Sequence, residues 1–208
     1  MDSRLILLPG MGADHRMYGP SITQLPQVVR LDWDHVHPAK SLSEVACQMI
    51  EMHAISARDR IGGSSLGGMV ACEIAHQLKM KSVVLIGSAR SIHELRWFAR
   101  LGLPLANRPV FDFSRRLGRL VNRSLFFRML ADADSLFMVN MCHALRNWRG
   151  GDHRLITFRV HGSRDLLIKC PSNPDALILG GGHMIAWTHH QQVANALERW
   201  YQSHCEDA

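Results

Sequence analysis

The segment Gly63-Ser64-Ser65-Leu66-Gly67-Gly68 spells G-x-S-x-G where a strand-like approach passes into a helix-like continuation. A strand that reverses this abruptly into a helix leaves almost no room for side chains two residues before and two residues after the central serine. Gly63 and Gly67 satisfy that demand around Ser65, whereas centring the turn on Ser64 would put the bulk of Leu66 where none fits. Sterics set the frame and make Ser65 a candidate nucleophile.

A serine hydroxyl is a weak nucleophile near neutral pH, so it needs a base and a group that orients the base. The run Leu155–His161 reads as a buried strand, and Gly162-Ser163-Arg164-Asp165 reads as the turn after it, placing a carboxylate just past the strand's carboxyl end. Asp165 is the candidate orienting acid. Ala176–Leu179 reads as a short strand that runs into Gly180-Gly181-Gly182-His183, a flexible loop able to carry an imidazole over the sheet edge. His183 is the candidate general base. Negative charge developing on a carbonyl oxygen also calls for backbone donors. The apolar run Arg4–Leu8 leads into Pro9-Gly10-Met11-Gly12-Ala13-Asp14, and the N–H groups of Met11 and Leu66 are the expected pair.

Strand-like runs near 4–8, 27–32, 58–63, 82–87, 155–161 and 175–179 alternate with helical patterns near 41–57, 66–79 and 186–203. That alternation predicts an α/β fold with a mainly parallel sheet of about six strands, covered on both faces. Ser41 and Glu44 predict a capping box for the first helix. Residues 91–150 form a long insertion with helical periodicity, with helices expected near 91–101, 112–130 and 134–147, broken by Pro104, Pro109 and the turn at 132–134. The expected division is a core of 1–90 and 151–208 with a helical cap of 91–150. Aromatic and methionine side chains of the cap, including Trp97, Phe98, Phe126, Phe127, Met138, Met141 and Trp148, are expected to form its core, with some lining an apolar pocket.

At 208 residues and 47% hydrophobic content the chain suits one domain with a substantial core. Its apolar runs are too short to span a bilayer and its start lacks a signal-peptide pattern, so a cytoplasmic protein with no membrane partner is expected. The five cysteines, Cys47, Cys72, Cys142, Cys170 and Cys205, include no C-x-x-C pair and are expected to be reduced thiols. His35 with His37 and His189 with His190 are spaced like metal pairs, but no carboxylate or cysteine set completes them, and they read as surface residues. His161 reads as a packing residue at the strand end, and Asp14 as a helix cap. Residues 91–150 hold ten Arg, no Lys and four acids, so 10 − 4 = +6, which equals the formal charge of the whole chain. Arginine suits bidentate contact with carboxylate or phosphate, although a charge run is commonly no more than a solvated helix face. No nucleic-acid-binding motif accompanies the arginines, and no nucleic-acid partner is expected.

Pro9-Gly10-Met11-Gly12, the G-x-S-x-G segment, His161-Gly162-Ser163-Arg164-Asp165 and Gly182-His183, in this order, resemble the α/β-hydrolase superfamily, and its small bacterial members most closely, over nearly the whole chain. Two features depart from it. Pro9-Gly10 stands where many relatives have His-Gly, and the approach to the elbow, Arg58–Ile61, is more polar than usual. The resemblance implies a reduced core lacking two leading strands, with the insertion as a cap over the nucleophile. It also implies a serine hydrolase in which Ser65, His183 and Asp165 form a triad, Met11 and Leu66 supply the oxyanion site, and no cofactor or metal is needed. The implied substrate is a small-molecule carboxylic ester, with an anionic or carrier-bound form left open by the arginines. Thioesterase activity and ligand binding without turnover are the alternatives.

Overall fold

The computed structural model describes residues 4–33, 36–121 and 124–203; His35 and Cys205 lie outside them. The chain runs β1 (Leu5–Leu8), α1 (Pro20–Thr23), β2 (Val28–Arg30), α2 (Leu42–His53), β3 (Arg60–Ser64), α3 (Leu66–Gln77) and β4 (Ser82–Ile86). An insertion of α4 (Trp97–Gly102), α5 (Arg108–Val121), α6 (Leu125–Asp132) and α7 (Ser135–Asn147) follows. The chain then closes with β5 (Ile156–Gly162), β6 (Ala176–Ile178), α8 (Ile185–Thr188) and α9 (His190–Ser203).

Among the described residues the strands form one six-stranded, all-parallel sheet in the order β2-β1-β3-β4-β5-β6. Strand side chains alternate between faces, and in this sheet both faces are apolar. Ile6, Leu8, Val83 and Leu85 pack with α2, α3 and α7 on one side, while Leu5, Leu7, Val84 and Ile86 pack with α8 and α9 on the other. The register pairs Leu8 with Gly63, Ser64 with Ile86 and Gly162 with Ile178, so the carboxyl ends of the strands lie side by side. Ligands of open parallel sheets bind at that edge.

The six expected strands all form. The helices differ in detail. The helix expected over 41–57 stops at His53 because Ala54 enters the left-handed region at φ 48°, with Ile55 N–H donating to Ile50 O at 3.0 Å. An alanine gives no glycine signal for such a stop. Its start is capped as expected by Ser41 Oγ, which accepts from Glu44 N–H at 3.2 Å, but the Glu44 carboxylate takes the Lys40 N–H rather than that of Ser41. The helix expected over 186–203 is divided into α8 and α9.

In the insertion, the helix expected over 112–130 is two, α5 and α6. The one expected over 91–101 begins instead with a 3-10 turn at Ile92–Glu94, because Leu95 bridges to Ile168 and Arg96 N–H donates to Leu167 O at 2.9 Å. Pro109 does not break a helix; it sits in the first turn of α5, where its missing N–H costs nothing. Glu94, at the start of the insertion, pairs at 2.5 Å with Arg159 on β5 and ties the insertion to the sheet. Met138, Met141 and Trp148 are buried as expected, but Trp97, Phe98 and Phe126 are exposed, a departure from the expected cap core.

Candidate active site

Ser65 stands between β3 and α3 with φ 52° and ψ −121°, a conformation that non-glycine residues rarely adopt. The glycines around it are spent on sterics. A β-carbon on Gly63 would collide with the backbone of Gly67, and one on Gly67 would collide with the carbonyls of Leu8 and Pro9. The elbow is thus wedged against the end of β1, and Gly10 lies beside it, close enough that a β-carbon there would sit 3.5 Å from Ser65 Cβ.

Two residues that the sequence reading did not single out hold this junction. Tyr18 is fully enclosed; its hydroxyl donates to Leu8 O at 2.5 Å and accepts from Ser64 N–H at 3.2 Å, linking the first loop to the elbow. Burial pushes its phenol far above the ordinary value, so it stays a donor. Ser88, after β4, donates its hydroxyl to Ser65 O at 2.6 Å. Neither sits in a recognisable motif. Their signal lies in three-dimensional proximity across strand ends.

The structure brings together the three side chains singled out from the sequence. His183 Nε2 lies 2.9 Å from Ser65 Oγ, and His183 Nδ1 lies 2.8 Å from Asp165 Oδ2. Asp165 is buried in the turn after β5, and its other oxygen accepts from the N–H groups of Leu167 at 2.8 Å and Ile168 at 3.0 Å. Burial alone would raise its pKa, but the hydrogen bond and charge of His183, with the two backbone donors, hold it below the ordinary carboxylate value. Asp165 is therefore an ionised acceptor beside His183 Nδ1.

His161, read from sequence as a packing residue, is buried on β5 with Nε2 3.5 Å from Asp165 Oδ2 and 3.4 Å from Ile168 O. Burial lowers its pKa despite the neighbouring carboxylate. It backs the acid from behind.

The Met11 and Leu66 N–H groups donate to no protein acceptor among the described residues. Leu66 is the first residue of α3, where N–H groups have no partner within the helix. Met11 follows Gly10 in the loop against the elbow, with its sulfur 3.6 Å from Cys142 Sγ of α7. Both donors are free for a ligand oxygen.

Beside this loop, from Gly12 onward, opens a cavity of about 680 Å³ roofed by α6 and α7. Trp33, Met129, Leu136 and Phe137 give it apolar walls, and its charged lining is four aspartates, Asp14, Asp32, Asp132 and Asp134, with Arg16. None of the insertion's described arginines lines it. Asp14, His15 and Asp32 offer ligand atoms within 4.8 Å of one another, a set the sequence reading did not foresee. Those atoms are already engaged: Asp14 with Arg16 at 2.6 Å and His15 with Asp32 at 2.6 Å. Asp14 also caps the turn His15–Met17, as expected. His189 bonds Thr188 and His190 bonds Ser21. Cys47, Cys72, Cys142 and Cys170 are free thiols.

No protein-family model and no curated protein sequence matches the chain. Solved structures do. A thermophilic esterase from Thermogutta terrifontis superposes with a TM-score of 0.72 at 15% identity, covering 97% of this chain and 90% of its own. A putative lipase from Acinetobacter baumannii gives 0.72 at 15% identity over 100% of this chain and 86% of its own. A thioesterase of prodiginine biosynthesis from Streptomyces coelicolor gives 0.66 at 15% identity over 95% and 85%. With its six-stranded parallel sheet, the chain has the α/β-hydrolase fold.

Proposed function

We propose that the protein is a serine hydrolase that cleaves carboxylic esters through an acyl-enzyme. The observation that carries this reading is the unbroken chain from Ser65 Oγ to His183 to Asp165, at 2.9 and 2.8 Å, built on a strained elbow beside two free backbone donors. His183 Nε2 takes the hydroxyl proton as Ser65 Oγ bonds to the carbonyl carbon, and the oxyanion accepts from the N–H groups of Met11 and Leu66. When the tetrahedral centre collapses, the carbon–oxygen bond to the alcohol breaks and His183 gives its proton to that oxygen. Water then attacks the acyl-serine, losing a proton to His183, and the proton returns to Ser65 Oγ as the acid leaves. Asp165 stays ionised throughout and steadies the imidazolium. The insertion acts as the cap, and its roof over the cavity near Gly12 favours an apolar substrate group there.

The esterase and lipase among the structural neighbours support an ester as the bond cleaved; the thioesterase keeps the sulfur analogue as the second reading, since the same steps serve a thiolate leaving group. An active-site-directed fluorophosphonate probe tests the chemistry. Labelling of the wild type and not of Ser65→Ala is expected, followed by faster turnover of p-nitrophenyl esters than of matched thioesters. Absence of labelling in both proteins would leave a binding module.

A further inference from the structure

We propose that the outer face of α5 docks the protein on an anionic lipid bilayer, with the helix lying along the membrane surface. The helix packs only part of its apolar surface. Phe111 rests against the core, but the rest of its inward side is polar or small: Arg115 donates to Ala131 O and to Ser135 Oγ, each at 3.3 Å, and Ser135 Oγ donates to Asp112 at 2.5 Å. Gly118 lets α6 approach so closely that a β-carbon there would meet Phe127 O at 2.8 Å.

The apolar stripe Val110, Phe113, Leu117 and Leu120, spaced three and four residues apart, is left facing away. Leu120 is 84% exposed and Phe113 68%, and Trp97 on α4 is 71% exposed. Side chains so bare project as knobs; the lining of a groove made for a protein partner would be sheltered. Knobs of this kind sink into a deformable apolar medium. Single exposed leucines need no explanation, but a continuous helical stripe does.

Charge names the surface. Arg116 and Arg119 lie on the same helix beside the stripe, and Arg100 on α4, and none of the three has a carboxylate partner among the described residues. The insertion carries ten Arg against four acids, equal to the whole +6 of the chain. Basic residues flanking an outward apolar stripe are the pattern of helices held at an anionic interface. A second copy of the chain would set these arginines against their own images. No described helix is long and apolar enough to cross a membrane, and a helix lying on the surface needs no such length. The expectation of no membrane partner rests on the absence of spanning segments, and a surface-lying helix is a different mode of contact. The proposal does not depend on the reaction assigned to Ser65.

Sedimentation with vesicles of phosphatidylcholine, with and without phosphatidylglycerol, tests it. The wild type is expected to partition onto the phosphatidylglycerol vesicles and to be released by salt. Phe113→Ser/Leu117→Ser/Leu120→Ser should weaken partitioning at least about tenfold, and Arg116→Gln/Arg119→Gln roughly 30-fold with a flatter salt response. Unchanged partitioning of both variants, or none by the wild type at low salt, overturns the proposal. So does concentration-dependent dimerisation abolished by the triple substitution, or retention of an acidic carrier protein without vesicle binding. If the triple variant fails to melt cooperatively, the arginine pair decides by itself.

Discussion

The sheet and the insertion use the same residue types to opposite ends. In the sheet, Leu85 and Ile86 point to opposite faces and both are buried, because helices wait on each side. In the insertion, Leu117 and Leu120 share an exposed stripe, while Phe111, Arg115 and Gly118 take the packed side. Apolar character thus reports the packing face only where another element is already committed to covering it. The sheet is built for burial around a fixed site. The outer insertion is built for contact.

If that division is right, the largest single effect should come from a buried polar residue at the sheet edge. Asp165→Asn keeps the shape but cannot hold the tautomer of His183, and turnover of a p-nitrophenyl ester should fall by about 10⁴-fold with little change in KM. A fall of less than tenfold would mean that His183 is oriented by something else, and the chain from serine to carboxylate would lose its assigned role.

A paired substitution then tests burial itself. Leu85→Ala empties a fully packed position on β4 and should cost about 2–5 kcal/mol in chemical denaturation. Leu120→Ala removes the same atoms from a bare helix face, and its cost should stay within about 0.5 kcal/mol. Comparable losses from the two would show that α5 is covered in solution and would erase the contrast.

The same contrast separates what was legible in the sequence from what was not. β1 and β4 were readable because strands buried on both faces are continuous apolar runs, and Ser65 was readable because only glycine fits at Gly63 and Gly67. Asp165 and His183 followed from their places after β5 and β6. The face of α5 was not readable: its apolar period announces an amphipathic helix without saying which side is inward. The signal that could have decided it, a glycine at 118 one turn after an arginine able to bond a neighbouring helix end, is local and looks like surface sequence. Tyr18 and Ser88 escaped for another reason, since each bonds a backbone group far away in the chain and close only in the fold.

The smallest predicted effect concerns His161, a polar group the sheet encloses without using it to move a proton. Burial, opposed by Asp165 and by the Ile168 carbonyl but reinforced by Arg159 and His183, holds its pKa below the ordinary 6.5. In that range the unfolded chain takes up a proton that the folded chain refuses, so stability must fall as pH drops below about 6.5, and must not fall as pH rises from there. Asp165 adds its own loss only nearer pH 4, because its folded pKa lies below the carboxylate value of 3.8. Thermal melts between these two windows isolate the histidine. The wild type should lose stability on acidification there, and His161→Asn, somewhat less stable at neutral pH for want of its contacts, should lose distinctly less. Parallel curves for the two proteins would place the acid sensitivity outside the sheet, and would mean that the enclosure of His161 is looser than its distances to Asp165 and Ile168 require.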